Sequence, residues 1–457
     1  MNRTFIFKVA GIFILTLLMS WAVSYVNSLI YERQARQSDV KREIASSSAG
    51  EQTVVGPVLM VPYVEDYTVT TTDNNIKKTE TMRDARITYV LPENLELNGG
   101  FTNEFKKLGI YKALMYQLGG NIKGTFRLPA NFNVSAQHEG GRITFLPAYV
   151  SLGISDTRGI NGKPVFTWNN ETLKFAQGSR VKALGNGIHA PIGVLDISTE
   201  QTIPFEFKLN LRGMENFRFT PIAENNSIAL QSSWQHPHFN GSFLPDPATQ
   251  TINTGGFSAN WAVSSLSSSN QAQFSSMMQS GNANSNLESL AVGFVEPINV
   301  YSQADRATKY GLLFIGLTFA GFFIFEILKR LRIHPAQYTL VGLAMALFYL
   351  LLISLSEHIS FGLSYLAASL ACVSLLGYYL THVLKSKTHG LLFASLLTAL
   401  YGALYGILAS EDNALLMGSL LVFGLLALTM VVTRKVDWYQ ISGKPETPHL
   451  HSSYDVV

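Results

Sequence analysis

The chain has 457 residues, of which 47% are hydrophobic and only 14% are charged, whereas about a quarter of the residues of a soluble protein are charged. Part of the chain is therefore expected to lie in lipid. The formal net charge of +3 is too small to indicate a nucleic-acid partner, and the single cysteine, Cys372, excludes an intrachain disulfide and a CxxC metal or redox site.

The first apolar segment covers residues 5–30 and is long enough to cross a bilayer, which takes about 20 apolar residues. Arg3 and Lys8 lie at its N-terminal side, which favours the cytoplasm for that end. The small residues at 22–24 form a weak cleavage site, so a signal peptide is the alternative, but the apolar run continues past them. We predict an uncleaved anchor over residues 1–30.

Residues 31–305 contain no further span and form one predicted domain. Residues 31–47 are rich in helix formers and predict a helix that continues from the anchor. Short strands follow, most clearly at 203–213, where apolar and polar residues alternate. Many such strands between Gly, Asn and Pro turns predict a mainly β domain, either a β-sandwich or a related two-sheet fold. Gly56-Pro57 interrupts the first strand, which indicates an edge or a bulge.

The segment "SSWQHPHFNGSFLPDP", residues 232–247, is the strongest candidate for a functional surface outside the membrane. Two prolines stiffen it, so that it loses little entropy on binding, and aromatic side chains are typical interface anchors. The alternative is that its aromatic rings only cap the β core. We predict a recognition loop with five contact residues: Trp234, His236, His238, Phe239 and Phe243.

The same segment offers possible metal ligands in His236, His238 and Asp246, but no second ligand cluster with zinc-like spacing accompanies them. The chain also contains no GxSxG, HExxH or phosphate-binding loop. We therefore predict no catalytic residue, no cofactor and no metal. Asp156 and Arg158 are interpreted as a loop-shaping ion pair, and His189 as a hydrogen-bonded loop residue. Residues 264–286, rich in Ser, Asn and Gln, predict a mobile surface loop.

Five apolar segments fill the C-terminal part of the chain and predict a five-helix transmembrane bundle at 306–433. With the anchor they make about six transmembrane helices. They cover residues 307–328, 335–356, 359–384, 390–410 and 414–433.

The connections between these segments indicate the orientation of the chain. The connections at 329–334 and 385–389 and the tail at 434–457 carry lysines and arginines, whereas those at 357–358 and 411–413 carry none. Positively charged connections stay in the cytoplasm. We predict that both termini and the tail are cytoplasmic and that the domain at 31–305 is periplasmic.

Four polar residues at the ends of these segments are candidate intramembrane or interfacial sites. Glu326 and Arg330 are spaced i,i+4 near the cytoplasmic edge, which favours an interfacial ion pair over a proton-carrying carboxylate. Glu357 and His358 lie in the outer connection. They are interpreted as a polar hairpin at headgroup level, and a proton site is the alternative.

Several stretches of the chain resemble the CreD-like inner-membrane proteins, described as cell envelope integrity proteins. They include "VGPVLMVPY", "SDTRGI", "SWQHPHFNGSFLP", "DRATKYGLLFIGLTFAGFFIFE", "RIHPAQYTLVGLAMALFYLLLISLSEH" and "DWYQIS". The resemblance implies a multi-pass protein of a Gram-negative inner membrane, linked to envelope stress and to the regulon of the Cre sensor–regulator pair. It implies no catalytic residue.

Together these observations predict a multi-pass α-helical membrane protein with a large, mainly β periplasmic domain of β-sandwich type. The predicted function is non-enzymatic support of cell envelope integrity, with membrane lipids and an envelope component or protein as partners. A proton-coupled transporter or lipid-handling protein is the alternative, and a periplasmic enzyme is the third possibility.

Overall fold

The computed structural model describes residues 3–73, 76–195, 198–281, 287–296, 299–328, 333–384, 386–410 and 414–434. The chain separates into two compact units. The helical unit comprises Met1–Arg36 and Ile298–Val457, and the β unit comprises Gln37–Pro297. The predicted domain limits at 31 and 305 stay predictions.

The described residues form eight α-helices. They are α1 (Arg3–Ser47), α2 (Asn270–Ser280), α3 (Val300–Lys309), α4 (Gly311–Leu328), α5 (Pro335–Ser356), α6 (Phe361–Val383), α7 (Lys387–Ala409) and α8 (Ala414–Thr433). The predicted helix at 31–47 is the last part of α1.

The strands all lie in the β unit. They are β1 (Gln52–Asp73), β2 (Ile76–Val90), β3 (Asn94–Leu108), β4 (Tyr111–Leu128), β5 (Arg142–Phe145), β6 (Ala148–Ile154), β7 (Val165–Trp168), β8 (Glu171–Lys174), β9 (Ala176–Gln177), β10 (Gly187–Gly193), β11 (Gln201–Met214), β12 (Asn216–Thr220), β13 (Asn225–Ser232), β14 (Pro237–Gly241), β15 (Thr251–Asn253), β16 (Gly256–Ser264) and β17 (Leu290–Phe294).

These strands form two sheets. The nine-stranded sheet has the order β14-β17-β12-β1-β6-β10-β9, and β2 and β5 also pair with β1. The eight-stranded sheet has the order β15-β16-β13-β3-β4-β11-β7-β8. Pairing is antiparallel except between β1 and β12 and between β3 and β13, which are parallel. The mainly β character of the domain is thereby confirmed.

One hydrophobic cluster contains side chains from both sheets, including Leu59 and Val150 of the first and Leu97 and Leu209 of the second. The alternation predicted at residues 203–213 explains how β11 contributes to this cluster, because along β11 every second side chain is buried and the others are exposed. Each fully buried Leu or Phe contributes about 1.5–3 kcal/mol. The two sheets therefore share a core, and the β-sandwich arrangement stays a prediction.

The interruption at Gly56-Pro57 is a bulge in the interior of the sheet. The register between β1 and β6 shifts between Val55 and Val58, and β1 has neighbours on both sides. Of the two predicted alternatives, the bulge is confirmed.

The prediction of a loop at residues 264–286 was wrong for most of that segment. Residues 265–267 form a 3-10 turn and α2 follows, while residues 282–286 lie outside the described part of the chain. Phe274 and Met277, three positions apart and hence on one helix face, are buried in a hydrophobic cluster. The Asn270 side chain donates 2.8 Å hydrogen bonds to the carbonyls of Pro221 and Glu288. The serine-rich composition of the segment gave no indication of these few buried contacts.

Four helices are long and apolar enough to cross a membrane: α5, α6, α7 and the Phe7–Ser47 part of α1. The predicted span at 307–328 is not one straight helix, because α3 and α4 meet at a bend of 42°. Gly311 begins α4, has low helix propensity, and would bring a Cβ to 3.0 Å from Val23 Cγ1. With the bent pair the described residues contain five candidate spans, and the sixth, at α8, stays a prediction.

A buried carboxylate holds one loop of the β unit in place. Glu65 on β1 accepts 2.8 Å hydrogen bonds from the backbone N–H groups of Gln137 and His138. The His138 ring stacks on Tyr67, with ring centroids 3.6 Å apart. A side chain at Gly141 would bring its Cβ into collision with the Glu65 carboxylate. The hydrogen bond from the His138 N–H lowers the pKa of Glu65 below its usual value.

This pairing predicts an acid-sensitive loop. A carboxyl whose folded-state pKa is lowered stabilises the fold above its unfolded pKa, about 4.3 for glutamate in model peptides, and loses that effect as the pH falls through the folded-state pKa. Amide hydrogen exchange, corrected for intrinsic rates, should show Gln137 and His138 protected at neutral pH and losing protection below about pH 4.3. Glu65→Gln keeps an acceptor oxygen but loses the charge, so that it should weaken protection at neutral pH and remove the loss of protection on acidification. The exposed Glu171→Gln serves as control, and equal protection in all three proteins would contradict the assignment.

Candidate functional site

The end of α4 carries a buried carboxylate with three partners. Glu326 is 5% exposed. Its Oε1 forms an ion pair with Lys8 on α1 and accepts a hydrogen bond from the backbone N–H of Ile333 at 3.1 Å. Its Oε2 accepts a hydrogen bond from the Tyr338 hydroxyl on α5 at 3.0 Å. The carboxylate thus connects α1, α4, α5 and the residue just before the N-cap of α5.

The sequence places α5 so that Tyr338 can reach this carboxylate. Pro335 occupies the first helical position, where its missing N–H is not needed. His334 caps the helix by accepting from the N–H of Ala336, and the Gln337 side chain accepts from the N–H of His334. The start of α5 is therefore determined locally, and Tyr338 follows on its first turn.

The predicted partner of Glu326 was Arg330, which lies outside the described residues, so that pairing stays a prediction. The structure instead shows Lys8 beside Glu326, 318 positions away in the sequence. It also places Glu326 in a buried position rather than at an exposed interface. Spacing along one helix could not reveal a partner on another helix.

The connection between α5 and α6 holds the second predicted polar pair. The Glu357 carboxylate accepts a hydrogen bond from the Tyr301 hydroxyl at 3.3 Å and lies 3.7 Å from Arg33 Nε on α1. The His358 side chain is exposed. The groups that contact Glu357 are thus Tyr301 and Arg33 rather than the adjacent histidine.

The two carboxylates contact α1 at positions separated by about the thickness of a membrane. At 1.5 Å per residue, Lys8 and Arg33 lie about 37 Å apart along the helix. The hydrocarbon core of a bilayer is about 30 Å thick, and the whole bilayer about 40–45 Å. The two ion pairs are therefore spaced like the two interfaces of a membrane, and in each pair the cation on α1 is more exposed than the carboxylate.

The predicted recognition loop is partly a strand. Residues 237–241 form β14, which ends the nine-stranded sheet and pairs with β17. Pro237 opens the strand, and Pro is tolerated at edge and first positions because it has no N–H to donate. The prediction of a loop was wrong for these five residues, because pairing with β17, about 50 positions further along the chain, makes them a strand.

The five predicted contact residues divide into two groups. The rings of Trp234, Phe239 and Phe243 are half-buried against the hydrophobic core. Phe239 packs edge-on against Phe257 and Trp261, with centroids 5.4 and 5.7 Å apart. This packing favours the alternative in which the aromatics cap the core.

The remaining two residues, His236 and His238, are exposed. They carry the polar surface of the segment. Within the described residues, no three His, Cys, Asp or Glu side chains come together in a group that could hold a metal ion. His236, His238 and Asp246 therefore do not form such a group.

The interpretation of Asp156 and Arg158 is confirmed, and that of His189 is confirmed for its hydrogen bond but wrong for its place in a loop. Asp156 and Arg158 form an ion pair at 2.6 Å, and the Asp156 side chain also accepts from the N–H of Arg158. The hydrogen bond from the Arg158 guanidinium lowers the pKa of Asp156. His189 is buried, and its Nδ1 lies 2.7 Å from the carbonyl of Gly178. It lies on β10 rather than in a loop.

Two features were not predicted from the sequence. One is an open apolar groove of about 350 Å³ between α6 and α7, whose walls carry three tyrosines, Tyr365, Tyr401 and Tyr405. The other is the exposed end of the β3–β4 hairpin, "EFKKLGIYK". The sequence pattern that could have revealed this surface is the mixture of three lysines with four large apolar or aromatic residues around Gly109.

Comparison with known proteins gives one consistent result. The family model described as "Inner membrane protein CreD" matches residues 4–439. The curated Inner membrane protein CreD of Escherichia coli (strain K12) is 35% identical over 450 residues, which cover 98% of this chain and 96% of that protein.

Among solved structures, an M1 zinc metallopeptidase from Deinococcus radiodurans aligns with 44% of this chain and 41% of its own, at 7% identity and a TM-score of 0.19. A point mutant of the same metallopeptidase, bound to a Tyr-Ser-Ala substrate, gives a TM-score of 0.18. Neither likeness carries an inference.

The Glu326 contacts predict energetic coupling between α1 and α4. Removing one member of a buried ion pair leaves the other uncompensated and costs about 3–5 kcal/mol, and the partial exposure of Lys8 reduces this to about 1–3 kcal/mol. Lys8→Met and Glu326→Gln should each lower the thermal stability of the protein in detergent, and the double variant should lose less than the sum. The exposed pair Asp39–Arg42 is the control, with an expected effect below about 0.5 kcal/mol. Strictly additive losses would show that Lys8 and Glu326 do not interact.

Proposed function

Because the chain belongs to the CreD family of inner membrane proteins, we propose that it is a non-enzymatic, multi-pass protein that supports the integrity of the cell envelope. In this proposal about six helices cross the inner membrane, both termini are cytoplasmic, and the β unit is periplasmic. The β unit binds an envelope component, most simply an extended segment of an envelope protein.

The observation that carries the binding proposal is the position of β14 at the end of its sheet. Among the described strands, β14 has one neighbour, β17. The other side of β14 therefore presents backbone N–H and C=O groups to which an extended peptide can add as a further strand. His236 and His238 are exposed in the same segment and offer side-chain contacts.

The core packing of the aromatic rings strengthens this proposal rather than weakening it. Phe239 anchors the edge strand through Phe257 and Trp261, and Trp234 Nε1 donates to the carbonyls of His236 and Val295 at 3.1 and 3.2 Å. A preorganised edge loses little conformational entropy when a partner adds to it. The rings hold the strand, and the imidazoles and backbone meet the partner.

The polar contacts of the helical unit support an anchoring role for its carboxylates. Glu326 and Glu357 each contact α1 and a tyrosine hydroxyl. A carboxylate that carries protons must lose and regain such partners in each cycle, whereas a structural one keeps them. These contacts favour the envelope-integrity proposal over proton-coupled transport.

Lipid handling is the second candidate function, and the groove between α6 and α7 is the observation that favours it. Its lining is predominantly apolar, with leucines on α6 that are exposed on the surface of the helices. An acyl chain suits such a groove. Replacing the small Gly402 in its wall by leucine should then impair function without lowering abundance.

The orientation leads to a direct prediction. In a Cys372→Ser background, a cysteine at His358 should react with a membrane-impermeant thiol reagent in intact spheroplasts, and one at Lys387 should react only after permeabilisation. Both positions are exposed, so that accessibility is decided by the side of the membrane. The reverse pattern would invert the proposed topology.

Neighbouring residues of β14 separate the binding role from the packing role. Phe239→Ala should destabilise the protein by about 2 kcal/mol, since truncating a fully buried Phe costs about 3–5 kcal/mol and this ring is half-buried. His238→Ala should leave the melting temperature unchanged but abolish resistance to envelope stress in a complementation assay.

A photoreactive amino acid at His238 should also form a protein adduct in native membranes, and one at the exposed Glu171 should not. Unimpaired complementation by His238→Ala together with no adduct at His238 would refute binding at this edge.

A further inference from the structure

The outer end of the β3–β4 hairpin is a mixed apolar and basic surface. This hairpin tip, residues 104–112, turns through Gly109, whose φ of +63° suits glycine. Phe105, Leu108 and Ile110 are 41%, 42% and 46% exposed. Lys106 and Lys107 are exposed beside them. Large apolar side chains on a projecting turn need a partner that accepts both hydrocarbon and positive charge.

The register of the hairpin interleaves the two kinds of side chain. Lys107 is opposite Lys112, and Leu108 is opposite Tyr111. Lys112 lies over the Phe105 ring, with Nζ 4.7 Å from the centroid, and forms an ion pair with Glu296. Besides the three lysines, the tip carries one acid, Glu104. Apolar and aromatic residues among lysines are typical of surfaces that lie at the interface of an anionic bilayer.

The hairpin tip lies at the end of the β unit where both chain connections leave. Glu296, which contacts Lys112, is next to the end of the β unit at Pro297. On the other connection, Ile44 of α1 is buried together with Ala113 and Met115 of β4, with Val40 packed against them. The turn at Gly109 lies beyond these contacts along the hairpin, about 10 Å further at roughly 3.3 Å per residue.

The opposite end of the same hairpin provides the comparison. β3 begins at Asn94, which pairs with Thr125 and Asn225. The Ser265 N–H donates to the carbonyl of Glu224, directly before Asn225. Leu266, next to it, is 97% exposed, and no lysine or arginine lies within residues 259–281. The two ends of β3 are about 45 Å apart.

We propose that the hairpin tip docks on the leaflet of the membrane in which the protein itself is anchored. Leu108 and Ile110 enter the boundary between headgroups and acyl chains, and Lys106 and Lys107 contact the phosphates of anionic phospholipids. The partner is a lipid surface, because a turn flanked by lysines offers no groove for a peptide or a small ligand. This contact is independent of partner binding at β14.

The test uses full-length protein with Cys372→Ser in nanodiscs. An environment-sensitive nitrobenzoxadiazole probe is attached at Ile110→Cys, and a matched probe at Leu266→Cys. The nanodiscs contain either phosphatidylcholine alone or phosphatidylcholine with phosphatidylglycerol, and a spin-labelled lipid with its nitroxide near the headgroup is added as quencher. The expected result is severalfold stronger quenching at position 110 than at position 266, and stronger quenching at 110 in the anionic nanodiscs.

The role of the lysines is tested with the double variant Lys106→Gln/Lys107→Gln. The control is Lys163→Gln/Lys174→Gln, which removes two exposed lysines elsewhere in the β unit. The first variant should remove the preference for anionic nanodiscs, and the second should preserve it. Equal quenching at positions 110 and 266 would overturn the proposal. So would a photoreactive group at Ile110 that captures a protein instead of phospholipid in native membranes. Quenching that is indifferent to lipid charge would overturn the role of the lysines.

Discussion

The burial of the Glu326 carboxylate is the constraint on which the helical unit depends. A carboxylate out of contact with water is costly unless charge and hydrogen-bond donors compensate it. Lys8 supplies that compensation from α1, and Tyr338 and the backbone of Ile333 supply it from α5 and the residues just before it. Because the donors come from two distant parts of the chain, one side chain on α4 links α4 to both α1 and α5. Because lipid tails are as apolar as leucine, apolar contacts between the helices contribute through close packing rather than through a hydrophobic driving force.

Carboxylates are compensated in the same way further along α1, at Arg33, and within the β unit. Arg33 and Tyr301 compensate Glu357, and two backbone N–H groups compensate Glu65. In each case the carboxylate connects elements that are distant in the sequence. Ion-pair and hydrogen-bond partners account for the position of each acid, and the proposed function is therefore based on exposed surfaces.

The surfaces themselves follow from where the sheets end. β14 is the last strand of its sheet. The Phe239 ring can therefore pack inward while the His238 imidazole and one row of backbone groups remain on the surface. The β3–β4 hairpin extends beyond its neighbouring strands, so that its tip has no core to cover it. The tip also approaches the segment with the two histidines, since the ring centroids of Phe105 and Trp234 are 6.0 Å apart. A lipid contact and a protein contact can therefore occur side by side at one end of the β unit.

Much of the architecture is determined by the sequence through features that depend only on near neighbours. Hydropathy over about 20 residues predicted the apolar helices α1, α5, α6 and α7, and alternation predicted β11, and the structure agrees with both of these local patterns. Predictions from local sequence patterns were wrong where a few contacts between distant residues decide the structure of a segment. Phe274 and Met277 order a serine-rich segment because a hydrophobic cluster of the β unit receives them, and β14 is a strand because β17 lies beside it. The partner of Glu326 was decided only by the tertiary structure, because Lys8 is 318 positions away and no periodicity relates residues so far apart.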